Sequence, residues 1–441
     1  MNTKIYPGFP VLILLLLGFI GFGSLQAAQL RLIKEEQIVI SPKTDIRLLG
    51  KPKIDATGQG QLASILFQET DKQPVIRAEG TDVPLQNIPE GAHIIHYDSQ
   101  GVGYIQTKWL DIEAPEGTFT WKPAGGQRPW QVTHMFLGEV RVSTEMGAVL
   151  LVRQDLVNFS PNSSGVYVYN LHTGQLLKAF ESPNWGINEY EFSGDSNRLV
   201  FEYEISKPRS EMTEADYIDP RVHLACMDIG GQILWDIEMQ PVHGLSVSYD
   251  GNRVIYTSEL PHHKLAEKLG RQLYRKLGLI NNGNLLWEID QPSGLHVGLL
   301  PSGNYFSTSL YADQSRISDP TAKKGPSLGR WFETSTRQIL PMRLMPEIGE
   351  GWVVKFGSGV SLDDQRSVSV YSKIQGTVPF GAEIGEPAGN LLVLQNYTTL
   401  EIEHQQALPG EVYKLLTLAD LSVIELLFVD GRRMLFEVVP E

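Results

Sequence analysis

VHGLSVSYDGNRVIYTS (242–258), followed after an insert by LYRKLGLINNGNLLWEID (273–290) and QPSGLHVGLLPSGNYF (291–306), is the stretch from which the whole chain can be read. Leu245, Val247 and Tyr249 alternate up to a turn at Asp250-Gly251, and Val254 and Tyr256 alternate after it, as in a β-hairpin. Tyr274 to Ile280, a turn at Asn282-Gly283, and Leu285 to Ile289 make a second hairpin. Two hairpins in series are one four-stranded antiparallel blade, and the pattern restarts at His296 with Pro301-Ser302-Gly303 as its turn. A blade that recurs at about 50 residues predicts an all-β fold, a β-propeller.

Working outward, the first-hairpin turns fall at Gly147, Asp195, Asp250, Ser302 and Asp363, at spacings of 48, 55, 52 and 61, and Gly101 precedes Gly147 by 46. Second-hairpin turns match at His172-Thr173-Gly174, Ile229-Gly230-Gly231, Asn281-Asn282-Gly283 and, more weakly, Thr334-Ser335-Thr336. Upstream lie two fainter units. Lys51 to Arg77 is a hairpin candidate around Gly58-Gln59-Gly60, and His93 to Trp109 turns at Ser99-Gln100-Gly101 with Glu116-Gly117 as its second turn. Downstream, Leu421 to Val439 is a hairpin turning at Asp430-Gly431. The expectation is about seven four-stranded antiparallel blades, with six and eight open, in a single domain spanning 29–441.

Residues 1–28 read as a secretory signal peptide, with Lys4, an apolar core from Val11 to Phe22 and a stretch ending in Ala27-Ala28. The core is short for a membrane span, so no insertion beyond this segment is expected, although an uncleaved N-terminal anchor stays open. The expected location is periplasmic or secreted. Cys226 is the single cysteine, which excludes an intramolecular disulfide and reads as a buried thiol. With 51 acidic against 37 basic residues the net charge is −14, and no basic block compensates, so nucleic acid is excluded as a partner.

FSGDSNRLVFEY (192–203) and VSYDGNRVIYTS (247–258) resemble the repeat of TolB-like propellers. CMDIGGQILWDIE (226–238) and LINNGNLLWEID (279–290) resemble the strand-turn-strand unit ending in Trp of pyrroloquinoline-quinone-type propellers, with Trp235 and Trp287 at the matching positions. The resemblance implies a closed ring. It also implies that one terminus supplies a strand to a blade made by the other, here from Gln29 to Leu49. The vicinal disulfide of several quinone enzymes is impossible with Cys226 alone, and neither cofactor nor metal is expected.

In a propeller blade of strands A to D, the A–B and C–D turns share one face, and the B–C loops and D–A links share the other. The B–C connections swell at Lys207 to Pro220, Pro261 to Gln272 and Gln314 to Ser327, which places binding on their face. The D–A links there repeat a Pro, a Gly and one ring: Trp185, His243, His296 and Trp352, with Trp130 as a fifth. These rings either plug the joints between blades or line a cup at the channel mouth for a sugar, peptide or planar ligand.

The reading is a non-enzymatic binding or scaffold module of the cell envelope, taking a protein or glycan through the face with the long B–C loops. The alternative is an enzyme. GNLLWEIDQPSGLHVGLLPSGNYF (283–306) resembles the blade repeat of arylsulfotransferases, which implies His296 as a nucleophile, with cations such as Arg209, Arg221, Arg271 or Arg316 needed to hold the transferred group.

Overall fold

The computed structural model describes residues 28–39, 44–49, 52–55, 57–69, 74–78, 81–111, 114–153, 164–182, 189–203, 213, 221–258, 275–291, 295–310, 330–337, 352–373, 389–397, 399 and 401–440. Among these, eight antiparallel sheets of three or four strands follow one another along the chain. The first contains Thr44–Leu49, Ser64–Glu69, Val75–Ala78 and Thr81–Pro84, and the second His93–Asp98, Gly101–Asp111, Ala114–Pro123 and Trp130–Met135. The third contains Leu137–Ser143, Ala148–Arg153, Ser164–Asn170 and Leu176–Ser182, and the fourth Tyr190–Phe192, Arg198–Tyr203, Val222–Asp228 and Ile233–Met239. The fifth contains Val242–Val247, Arg253–Ser258, Arg275–Asn281 and Asn284–Gln291. The sixth is described with three strands, Leu295–Leu299, Tyr305–Leu310 and Arg330–Glu333. The seventh contains Trp352–Val360, Arg366–Lys373, Gly389–Asn396 and Ile402–Leu408.

The eighth sheet joins the two ends of the chain. Val412–Thr417, Val423–Phe428 and Arg432–Pro440 are followed, as outermost strand, by Ala28–Gln37, which pairs antiparallel with 432–440. The first strands of neighbouring sheets approach one another and so line the axis. This is a closed β-propeller. The eight sheets stand at the upper end of the six-to-eight range that the turn spacings allow. The eighth is hard to count because its fourth strand lies some 400 residues away in sequence.

Apolar side chains fill the seams. Leu150, Val166, Phe201 and Met227 join sheets three and four. Val200, Cys226, Val254 and Tyr256 join four and five, and Val370, Leu392, Ile424 and Phe436 join seven and eight. Burying each such side chain stabilises the ring by about 1.5–3 kcal/mol against leaving it exposed. Ile38, Ile46, Ile65 and Leu427 close sheet eight on sheet one.

Polar staples set the register. The A–B turns of sheets four, five and seven repeat one hydrogen-bond pattern. Ser193 Oγ donates to Asp195 (2.6 Å), which accepts from Asn197 N (2.9 Å), and Arg198 N donates to Ser193 Oγ (3.0 Å). Ser248, Asp250 and Arg253 repeat it, as do Ser361, Asp363 and Arg366. Each pattern satisfies turn amides that would otherwise be left open. In two of the three the arginine reaches the next sheet: Arg198 Nη1 donates to Asn252 Oδ1 (2.5 Å), and Arg253 Nη1 to Gly303 O (2.9 Å) and Asn304 Oδ1 (2.6 Å), whereas Arg366 Nε donates to Glu403 Oε2 within its own sheet (3.0 Å).

The tryptophans that carry the resemblance also staple. Trp287 Nε1 donates to Thr334 O (2.8 Å) in the C–D turn of the next sheet. Trp235 packs on Gly283, whose φ of +76° suits a residue without Cβ and whose added Cβ would lie 2.5 Å from Trp235 Cβ.

Two expectations about the early units are corrected. Glu116-Gly117 is not a turn: it sits inside the strand 114–123, paired with Lys108 and Thr107. Gly117 is there because Leu137 of the next sheet occupies the space of a Cβ, at 2.6 Å. The sequence around Gly58 does form a hairpin, Lys53–Ile54 with Gly60–Gln61, but it is an extra element in the A–B connection of sheet one. Ile54 and Leu62 pack there with Val423 and Leu435, covering the seam with sheet eight, so that this connection is not a tight turn.

Candidate functional site

The eight innermost strands start at the face of the B–C connections, so their first residues surround the channel mouth on that side. Five of these strands carry a β-bulge within their first four residues. The extra residues are Ile95, Gly138, His243, Lys355 and Tyr413, in sheets two, three, five, seven and eight. A bulge takes one side chain out of the alternation that would point it into a neighbouring sheet, and so re-aims it. His243 and Tyr413 are exposed there, the latter at 46%. The ammonium of Lys355 pairs with Glu411, which immediately precedes the innermost strand of the eighth sheet.

Carboxylates complete the rim beside His243. Glu189 precedes the innermost strand of sheet four, and burial raises its pKa, opposed by the charge of the neighbouring His243. Glu191, one turn of the pleat further, is pushed up to about 7 by burial, with Glu189 adding to the shift and the Val247 N–H opposing it. Glu202 is 2% exposed and accepts a hydrogen bond from Val242 N (2.5 Å), which fixes the start of the strand that carries His243. The mouth therefore presents an imidazole, a phenol, an ion pair and the Glu189 carboxyl, which loses its charge easily, while Glu191 lies deeper, beside Val247 at the far end of the neighbouring innermost strand. This set suits hydrogen bonding to a polar ligand.

The five rings singled out in the sequence separate. His243, His296 and Trp352 are the second, second and first residues of the innermost strands of sheets five, six and seven, three neighbours in the ring. His296 pairs with Ser309 in its strand register. The Trp352 ring lies 5.9 Å from Lys373 Nζ, within its own sheet. Trp130 is elsewhere. It opens the outermost strand of sheet two, donates from Nε1 to Leu171 O (2.7 Å) and packs on Phe119 and Tyr169, as a staple between sheets two and three. The signal missed was its likeness to Trp287 rather than to the D–A links. Trp185 lies outside the described residues.

The long connections 207–220, 261–272 and 314–327 also lie outside them, save Thr213, as do Arg209, Arg271 and Arg316. Lys355 and Tyr413 escaped the sequence reading because a bulge leaves no periodic mark, and Glu411 and Glu189 because they lie in the links just before a strand, outside any alternation. Among the described residues no three His, Cys, Asp or Glu side chains form a metal-holding group. Cys226 is fully buried, and burial pushes its thiol up to about 12. Among the described residues no helix is long and apolar enough to cross a membrane.

No family model and no curated protein matches the chain. Among solved structures it is similar to the β-propeller domain of the Trilobed protease from Pyrococcus furiosus, described as having an open velcro topology. The TM-score is 0.37 at 11% identity, over 78% of this chain and 95% of that one. A likeness of that size speaks to neither activity nor partner.

Proposed function

We propose that the protein is a binding or scaffold module of the cell envelope or its surroundings, which takes a protein or glycan at the mouth on its B–C face and turns nothing over. The observation that carries the reading is the set of bulges on innermost strands, which brings His243, Lys355 and Tyr413 to one rim. On that face the second strands of sheets four to seven end at Tyr203, Ser258, Leu310 and Lys373, and 15 to 19 residues of sequence separate each from the next strand, whereas the turns of the other face are mostly short and internally hydrogen-bonded. Function gathers on loops that a rigid scaffold positions.

The competing reading, a sulfuryl-transferring enzyme with His296 as nucleophile, needs cations free to hold an oxyanion. Lys355, on the neighbouring innermost strand, is already paired with Glu411. Calorimetric titration with envelope glycan fragments and with peptides tests the choice. Binding that weakens in His243→Ala and Tyr413→Ala supports a module. Aryl sulfate turnover that disappears in His296→Ala would replace it with the enzyme.

A further inference from the structure

We propose that the opposite face, at the outer rim of its C–D turns, is a docking surface for a neutral, zwitterionic lipid bilayer. The C–D turns of sheets three, four and five are each followed by an apolar pair, Leu176-Leu177, Ile233-Leu234 and Leu285-Leu286. Five of these six side chains are exposed, by 47%, 49%, 40%, 53% and 53% for Leu176, Leu177, Leu234, Leu285 and Leu286. Because the three sheets are consecutive, the leucines form one arc. Met146, Leu362 and Ile402 sit in or next to turns of the same face, so that this end of the ring carries eight of the twelve large exposed apolar side chains among the described residues. Scattered exposed leucines need no explanation, but an apolar pair at the same place in three consecutive blades does.

The path of the chain points to lipid as the occupant. Ala28 is the first residue of the outermost strand of sheet eight, opposite Pro440, and thus stands where a C–D turn would be, on the same face as the leucines. The apolar run Val11 to Phe22 ends six residues before it, a reach of about 20 Å at most. A membrane that holds that run therefore faces this rim. In a ring of eight, sheet eight is diametrically opposite sheet four, so the chain's entry and the leucine arc straddle the ring and would lay the face flat on a bilayer. In the turns of this face Arg198, Arg253 and Arg366 stand beside Asp195, Asp250 and Asp363, so the contact is apolar rather than electrostatic, and the net charge of −14 on the chain selects against anionic lipid. The B–C mouth then points away from the membrane.

The buried, unreactive Cys226 allows a single-label test on the full chain. A polarity-sensitive dye is attached to Leu286→Cys or, on the B–C face, to Val429→Cys, whose native residue is 50% exposed. With phosphatidylcholine vesicles, the expected result is a blue shift at position 286 and none at 429, diminished when anionic lipid replaces part of the phosphatidylcholine. Leu177→Ser, Leu234→Ser or Leu285→Ser should each weaken vesicle binding roughly fivefold to tenfold. The label reads orientation, so the outcome holds whether residues 1–27 are retained or removed. No shift at 286, or an equal shift at both positions, overturns the proposal. A shift at 286 that grows with protein concentration without lipid also overturns it, in favour of a second copy of the chain.

Discussion

Arg433 and Glu425, with side chains 2% and 1% exposed, pair inside the seam where the last sheet meets the first. Arg433 Nε donates to Glu425 Oε1 (3.0 Å), its Nη2 donates to Ala63 O (2.5 Å) and its Nη1 to Glu36 Oε2 (3.2 Å). The other oxygen of Glu425 accepts from Ala63 N (2.8 Å). One charge pair thereby ties the terminal strand, the second sheet strand and the first blade together.

Breaking the pair leaves a buried charge without compensation. Arg433→Met should cost about 3–5 kcal/mol in urea denaturation, and adding Glu425→Leu to it should recover much of the loss. An additive double variant would show that the two residues do not act as a pair.

Trp130 and His243 should divide stability from binding. Trp130→Phe removes the bond to Leu171 O and should lower stability by roughly 0.5–1.5 kcal/mol with ligand affinity unchanged. His243→Ala, at an exposed bulge, should weaken the ligand with little change in Tm.

Glu191 should make the fold less stable as pH rises. Its carboxyl ionises near 7 in the fold and near 4.5 when unfolded, so between those values the unfolded chain has released a proton that the native one keeps. Stability falls across that window and levels off above it. Glu191→Gln should match the wild type at pH 4 and exceed it at pH 8 by on the order of 1–3 kcal/mol, after allowing for the solvent that still reaches the group. Denaturation curves at pH 4, 6 and 8 check the sign.

Cys226 should not react with a maleimide at pH 8 in the native protein and should react once on unfolding, because burial holds the thiol protonated. Native labelling, read by mass, would show that the seam between sheets four and five opens.

Any removal of the N-terminal segment should leave a chain that begins at Ala28 or earlier. Ala28 is fully buried among Val412, Phe428 and Phe436, so cutting further in removes part of the core and bares the edge of strand 432–440. Mass spectrometry of the protein from its native source gives the terminus, and a start beyond Leu32 would contradict this account of the closing strand.

Local pattern made the fold legible. Alternation at Val247 to Ser258 and the Asp250-Gly251 turn need only neighbouring residues, so the hairpins and their repeat could be read directly; the entry of the N-terminal strand into the far end of the ring came from the propeller resemblance, and the run 29–49 that implied it is two strands, Ala28–Gln37 in sheet eight and Thr44–Leu49 in sheet one. Asp195, Asp250 and Asp363 could be read as turn residues, but the serine two residues before each, whose hydroxyl closes the turn within five residues, was not singled out. Where bonds span blades, reading stopped: Trp130 shares its chemistry with Trp287, but only the carbonyl it meets, 41 residues away, shows it to be a staple.

The site was the part that tertiary structure decided. Pro-Gly-ring links placed His243, His296 and Trp352 at one end of the innermost strands, since chain direction within a blade follows from strand order. The bulges that bring Lys355 and Tyr413 to the same rim as His243 are register events between two strands, and one strand's sequence does not record them. The raised pKa of Glu191 likewise exists only because neighbouring sheets close over it and remove its water. Composition and periodicity determine which residues can face inward, and the packing of one blade on the next determines which of them meet.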